Sequence, residues 1–188
     1  MFGRGQALRD LLRRHELSLA GGWIDLPFAD DDAFGAALPG YADALDFFTE
    51  AVGPDAALRP KPTLACSGSP GRVANPGGGP GLGLGTGQWD RYAANVRRAD
   101  DLAADRGLEA TFHHHACTFV ETPDEIDELL ARTSVGLTLD TGHLLLGGGD
   151  PSTAVQRWGS RINHLHLKDA RVDVLAAVVR DLTLLTIR

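Results

Sequence analysis

In the second half of the chain, three apolar stretches alternate with the two-residue period of a strand, and each ends in ionisable groups. They run from Leu108 to His115, from Val135 to His143 and from Ile162 to Asp169, and between them they hold six of the seven histidines. A segment with helical spacing separates each stretch from the next, so the unit repeats as strand, helix, strand, helix, strand. That repeat predicts an α/β fold with a parallel sheet. Ligands of such sheets meet the carboxyl ends of the strands, where these ionisable groups stand.

The flanking helices carry clear punctuation. Trp89, Tyr92, Val96, Ala99, Leu102 and Ala103 form one stripe over a helix from Gln88 to Arg106, stopped by Gly107. Thr122-Pro123-Asp124-Glu125 is a helix start, with Thr122 as cap and Pro123 at the first position, and Ile126, Leu129 and Leu130 face inward. Asp150-Pro151 opens another helix, Trp158-Gly159 ends it, and Arg161 to Leu167 is the last clear strand.

Earlier in the chain, Leu8, Leu11 and Leu12 mark an amphipathic helix from Ala7 to His15. A strand is expected from Leu17 to Leu26, with Gly21-Gly22 near its end and Trp23 and Asp25 just beyond. Asp30 to Asp32 reads as a solvated loop, and Pro39 to Val52 as a second helix. Residues 53–87 hold a short strand, Leu64 to Cys66, and a Gly- and Pro-rich loop expected to be mobile and to cover the strand ends as a lid. Gly81 to Gly87 lacks the Lys-Ser/Thr of a P-loop and the strand directly before it that a dinucleotide fingerprint requires. Residues 1–175 are expected to form a single domain and 176–188 an apolar tail packed against a core.

Composition narrows the function classes. With 188 residues, 43% of them hydrophobic, one globular domain is expected, and a net charge of -7 argues against a nucleic-acid partner. Two cysteines are too few for a disulfide framework, which fits a reducing, cytoplasmic setting. No apolar run reaches the ~18 residues of a membrane span, so no membrane partner is expected. The oligomeric state is left open, with a homo-oligomer among the alternatives.

Alternation then sorts the ionisable groups. His113 and His115 share one face and His114 takes the other; His164 and His166 share a face, with Lys168 in phase. Asp140 and His143 lie on the turn after their strand. Asp140, His166 and His113 are the expected ligands of a divalent ion, and a hard oxygen with borderline nitrogens suits Mn, Co, Zn or Mg. Such an ion polarises a carbonyl and eases removal of the neighbouring proton. His143 and Lys168 are the expected proton-moving groups, while His115, His164 and Asp169 are the expected substrate contacts. The bland readings stand beside these. The alternative for His114 and His164 is a core or supporting role, that for Lys168 and Asp169 is a mutual ion pair, Cys117 is expected to be structural, and Glu109 is expected to be exposed and far from the site.

At these residues the chain resembles the xylose-isomerase-like TIM-barrel superfamily of sugar isomerases, epimerases and related dehydratases. The likeness rests on Phe112-His113-His114-His115, Val120-Glu121-Thr122, Glu125-Ile126-Asp127, Leu139-Asp140-Thr141-Gly142-His143, Gly148-Gly149-Asp150-Pro151 and His164 to Asp169. It is specific from Gln88 to Val174, and it looks most like the inosose (2-keto-myo-inositol) dehydratase branch. The resemblance implies an (β/α)8 barrel and a metal held by an acidic residue after the fourth strand, an Asp after the fifth, a His after the sixth and a Glu after the eighth. Asp140 and His166 match the second and third positions, His113 stands at the first, and Glu121 is a substitute candidate. A whole barrel takes ~250 residues; the strands here look like the second to the sixth, so an incomplete barrel is expected, without the fourth ligand.

The function so implied is an isomerase or hydro-lyase acting on a small sugar or cyclitol by metal-assisted proton abstraction next to a carbonyl, as in inositol catabolism. The alternative is an inactive barrel fragment with at most ligand or metal binding. A nuclease of the endonuclease IV kind shares the fold but needs a basic DNA-facing surface, which the acidic balance opposes.

Overall fold

Five strands, β1 (Gly21–Leu26), β2 (Lys61–Cys66), β3 (Thr111–His113), β4 (Gly136–Asp140) and β5 (Ile162–His166), lie side by side in chain order, and every neighbouring pair is parallel. The computed structural model describes residues 3–52, 58–75, 82–174 and 176–177. Parallel neighbours need a crossover, supplied by α2 (Asp31–Val52), α3 (Pro70–Ala74) with α4 (Thr86–Ala104), α5 (Pro123–Arg132), and α6 (Thr141–Leu146) with α7 (Pro151–Trp158); α1 (Gly5–Arg14) precedes the sheet. This is the wall of a TIM-type barrel, as the strand and helix rhythm predicts.

The two faces of the sheet have opposite chemistry. Leu64, Phe112, Leu137 and Leu139 point to the helix side, each at most 1% exposed, and Phe112 packs near Phe28 and Tyr92 at ring separations of 6.0 and 6.3 Å. On the other face the alternation places Thr111 and Thr138, both fully buried, with their hydroxyls 2.7 Å apart. His113 and Asp140 follow two residues further along the same face. A polar inner face whose ionisable groups sit at the carboxyl ends is what positions the site.

Helix starts follow the sequence signals. The Thr122 hydroxyl accepts from the Glu125 amide at 3.4 Å while the Glu125 carboxylate accepts from the Thr122 amide at 3.0 Å, the reciprocal capping box of α5. Asp150 accepts from the Thr153 amide at 2.7 Å to start α7.

Four element boundaries differ from those expected. The first strand starts at Gly21, so Gly21 and Gly22 open it and Trp23 and Asp25 lie within it. The physical reason is close packing: a Cβ at Gly21 would stand 2.4 Å from the Lys61 carbonyl oxygen, and one at Gly22 would stand 2.9 Å from the Phe48 ring. The second helix begins at Asp31 within the acidic run. Asp30 caps it by accepting from the Ala33 amide at 2.9 Å, and Pro39 is tolerated because it lies on the exposed side. Asp31 pairs with Arg91 at 3.3 Å and accepts from Asn95 at 2.9 Å, which gives the acidic run a structural job. The second strand starts at Lys61 and so is longer than expected, and α4 starts two residues earlier than its stripe implies because Gln88 turns back to accept from the Gly85 amide at 2.8 Å. The expected lid falls partly on residues 76–81 and the expected tail on 178–188, both outside the described residues.

Candidate active site

Asp140 ends β4 and starts α6, and its two carboxylate oxygens have separate tasks. Oδ1 accepts from the His143 amide at 3.0 Å as the helix cap, which fixes the carboxylate plane. Oδ2 faces Lys168 Nζ at 2.6 Å, His113 Nε2 at 3.3 Å, His166 Nδ1 at 3.4 Å and His143 Nε2 at 3.9 Å. His113 Nε2 and His166 Nδ1 are themselves 2.9 Å apart. The strand ends β3, β4 and β5 therefore converge on one oxygen.

Each neighbour is held in turn. His114, on the opposite face, accepts from the Asp140 amide through Nε2 at 3.2 Å and so supports the main chain at the strand end. Lys168 is pinned through its backbone: its amide donates to the Thr141 hydroxyl at 2.8 Å, and that hydroxyl donates to the Lys168 carbonyl at 2.6 Å. Gly142 leaves room for this, since a Cβ there would meet Lys168 Cβ at 2.8 Å. The rings of His115 and His143 lie 3.7 Å apart, and Lys168 Nζ is 3.2 Å from His143 Nε2.

The bulge in β5 decides which of its residues join the cluster. Ile162 pairs with Leu137 on the helix side, yet the next pair is Thr138 with His164, so Asn163 is the extra residue. Without that slip the alternation would turn His164 and His166 to the helix side. Asn163 fills the space over Gly136 and donates to the Ala110 carbonyl at 3.1 Å and to Glu109 at 2.9 Å.

Burial sets the charge states. It pushes the His113 imidazole down to about 3, helped by the neighbouring histidines, and the His114 imidazole to about 3. Burial and His115 likewise take His143 to about 4, and burial lowers His164. For Asp140 burial alone would raise the carboxyl, but the Lys168 hydrogen bond, the His143 amide and their charges outweigh it and hold it below the usual carboxylate range. The Asp140 carboxylate thus stands among the neutral imidazoles of His113, His114 and His143, the form in which imidazole ligates a metal.

Of the residues singled out from the sequence, Asp140, His166, His113, His143, Lys168 and His115 stand together. The ring of His164 is 5.2 Å from that of His166, further down the strand. Asp169 is exposed, and its carboxylate accepts from the Ala170 amide at 2.9 Å. Lys168 pairs with Asp140 rather than with Asp169. Glu121, considered as a substitute ligand, is turned to Arg72 at 3.0 Å. Glu109 is exposed and pairs with Lys61 at the opposite strand ends.

Sequence reasoning missed Trp23, whose indole stands edge-on to His113 and His115 at 5.2 and 5.4 Å and is half exposed. It also missed Thr141 and Asn163. A strand start at Gly21 would have put Trp23 on the inner face by alternation; no local signal marks the bulge.

The donor set fits a divalent cation. Ligand atoms of His113, Asp140 and His143 all lie within 4.8 Å of one another, and His113 Nε2 and His166 Nδ1 stand 3.3 and 3.4 Å from the same carboxylate oxygen, which a cation would share in place of the Lys168 ammonium. One carboxylate with imidazoles suits a borderline or hard ion over a soft one.

A family model described as xylose isomerase-like TIM barrel matches residues 4–184. The chain belongs to the xylose isomerase-like TIM-barrel family. An inosose dehydratase of Clostridium beijerinckii is 40% identical over 97 residues, which is 50% of this chain and 33% of that protein. A D-allulose 3-epimerase from Methylomonas sp. superposes with a TM-score of 0.65 at 19% identity, covering 94% of this chain and 65% of that one. A xylose isomerase-like TIM-barrel protein from Mycobacterium smegmatis in complex with magnesium gives a TM-score of 0.57 at 17% identity, covering 87% of this chain and 55% of that one. The stretch shared with the dehydratase is thus about a third of that family member's length. Among the described residues, no helix is long and apolar enough to cross a membrane.

Proposed function

We propose that this xylose isomerase-like protein acts on a small cyclic or open-chain keto-sugar, removing a proton next to the carbonyl, with loss of water as the leading reaction and isomerisation or epimerisation as the related outcome. The observation that carries this reading is the convergence of His113, His166, Lys168 and His143 on the single Asp140 oxygen. The similarity to inosose dehydratases over the same stretch supports a cyclitol ketone, 2-keto-myo-inositol, as substrate.

Asp140, His166 and His113 would hold a divalent ion, Mn, Co, Mg or Zn, and a bound ion there would polarise the substrate carbonyl and acidify the adjacent C–H. The protein's own groups supply the proton traffic. His143 is uncharged at neutral pH and free to accept a proton, while Lys168, 3.2 Å away, carries one to give. Loss of water needs both a base for the C–H and an acid for the departing hydroxyl. Return of the proton to carbon instead gives an isomer or epimer. Half-open Trp23 offers an apolar wall for the ring carbons of a substrate.

A second reading, ion or ligand binding without turnover, draws on β5, where Leu165 is 47% exposed and Leu167 beyond it 78%. One assay separates the two. Purified protein with Mn²⁺ is incubated with 2-keto-myo-inositol in deuterated buffer, and water loss and C–H exchange are followed by NMR. Metal-stimulated dehydration or exchange, lowered about 10²- to 10⁴-fold by His143→Ala or Lys168→Met, is expected. Neither exchange nor dehydration, with metal bound, supports the second reading instead.

A further inference from the structure

Behind the histidine cluster, the turn that follows β3 is held by a buried ion pair. Arg72 is 2% exposed and Glu121 is fully buried. The Arg72 guanidinium donates from Nη1 to Glu121 Oε2 at 3.0 Å and from Nε to the Leu82 carbonyl at 3.3 Å, and Nη2 pairs with Glu125. Glu121 gives its other oxygen, Oε1, to the Cys117 amide at 3.0 Å. The Cys117 carbonyl accepts from the Ser69 amide at 2.9 Å, at the start of the short helix that bears Arg72. The peptide units on both sides of the Cys117 Cα are therefore tied, one to Glu121 and its partner Arg72 and the other to Ser69 at the start of α3.

Cys117 is where such ties are required. Its φ of 68° lies in the left-handed region, which costs a residue with a side chain of order 1 kcal/mol or more unless surrounding contacts impose it. The conformation turns the neighbouring Ala116 carbonyl onto His115 Nδ1 at 2.7 Å. A carbonyl can only accept, so Nδ1 of His115 bears a proton, and in the neutral ring that contact selects the Nδ1–H tautomer. The same turn sets the His115 ring 3.7 Å from His143.

We infer that Arg72 and Glu121 are positioning residues of the histidine site: through the Cys117 amide they fix the turn that holds His115 in its Nδ1–H tautomer against His143. The pair acts through the acceptor it holds for the Cys117 amide, and the net effect is a tautomer chosen from one layer away. The inference rests on reading the cluster as the active site. Ring-nitrogen chemical shifts need neither metal nor turnover, so they stand or fall separately from the activity assay.

The test is the ¹⁵N chemical shifts of the His115 ring at pH 7.5, with melting temperature measured alongside. Wild-type protein is expected to show a protonated Nδ1 and an unprotonated Nε2. Glu121→Ala removes the acceptor of the Cys117 amide and is expected to give a mixture of the two tautomers. Glu121→Gln keeps an acceptor oxygen for the Cys117 amide beside Arg72 and is expected to keep the wild-type shifts, whereas Arg72→Met frees the Glu121 side chain to turn and is expected to give the mixture; wild-type shifts in Arg72→Met overturn its positioning role. A wild-type ring protonated at Nε2 overturns the inference without any variant. So does Glu121→Ala that melts earlier yet keeps the wild-type shifts, because the ion pair would then only stabilise the fold.

Discussion

Asp140 carries its charge where water does not reach, and the groups around it divide the compensation. The cap from the His143 amide and the Lys168 ammonium keep the carboxyl ionised, while burial keeps the imidazoles of His113, His114 and His143 neutral. This has a consequence for stability with a definite sign. The three folded values, about 3, 3 and 4, lie below the ordinary 6.5, so between pH 6.5 and 4 the unfolded chain binds more protons than the folded one. The stability these rings contribute is complete above pH 6.5 and is lost as pH falls towards 4, at up to about 1.4 kcal/mol per pH unit for each proton. Asp140 adds to the loss only below its ordinary 3.8. Calorimetric melting of metal-free protein is expected to show Tm dropping steadily from pH 7 to 4.5; a flat profile over that range would mean that the rings are not neutral by burial.

At the same scale, the identities of Asp140, His113, His166 and His143 were legible in the sequence because ionisable residues at the ends of apolar strands have few structural explanations. What was not legible was the pairing. Lys168 is one residue from Asp169 in sequence, but Thr141 clamps its backbone on both sides and sends its side chain to Asp140. Trp23 was missed for a similar reason: Gly21 and Gly22 look like a strand end, and only the contact with Lys61 and Phe48 reveals that they admit close packing at its start.

Among the elements, the bulge at Asn163 is the part that no local pattern announces. His164 and His166 alternate regularly, so the sequence shows that they share a face, but not which one. The register slip between Leu137 and Thr138 turns that face inward. Gly136 is its counterpart, because a Cβ there would lie 2.0 Å from Asn163 Nδ2. Gly136→Ala is expected to displace the Asn163 side chain, cost about 1–3 kcal/mol of stability, and weaken the approach of His166 to Asp140. Denaturant melts and the His166 ring shifts check this; unchanged His166 shifts with Asn163 displaced would show that the bulge holds without its anchors. The caps of α5 and α7, by contrast, were readable from Thr122-Pro123 and Asp150-Pro151, since capping is a local matter of hydrogen bonds within one turn.

For the whole molecule, the order of strands and helices was enough to give a parallel barrel wall, and the motifs at the strand ends gave the xylose isomerase-like family. The boundaries of β1 and α2 were not, because they depend on which residues the neighbouring strand and helix press against. The account as a whole stands on Asp140, His113 and His166 holding a divalent ion, with His143 and Lys168 beside it. The most direct test is isothermal titration of Mn²⁺ into the chelator-treated protein and into Asp140→Ala, with circular dichroism to confirm that both are folded. One ion per chain in the wild type, and binding at least about tenfold weaker in Asp140→Ala, is the expected result. Equal affinity in the two folded proteins, or no binding to the wild type, would contradict it.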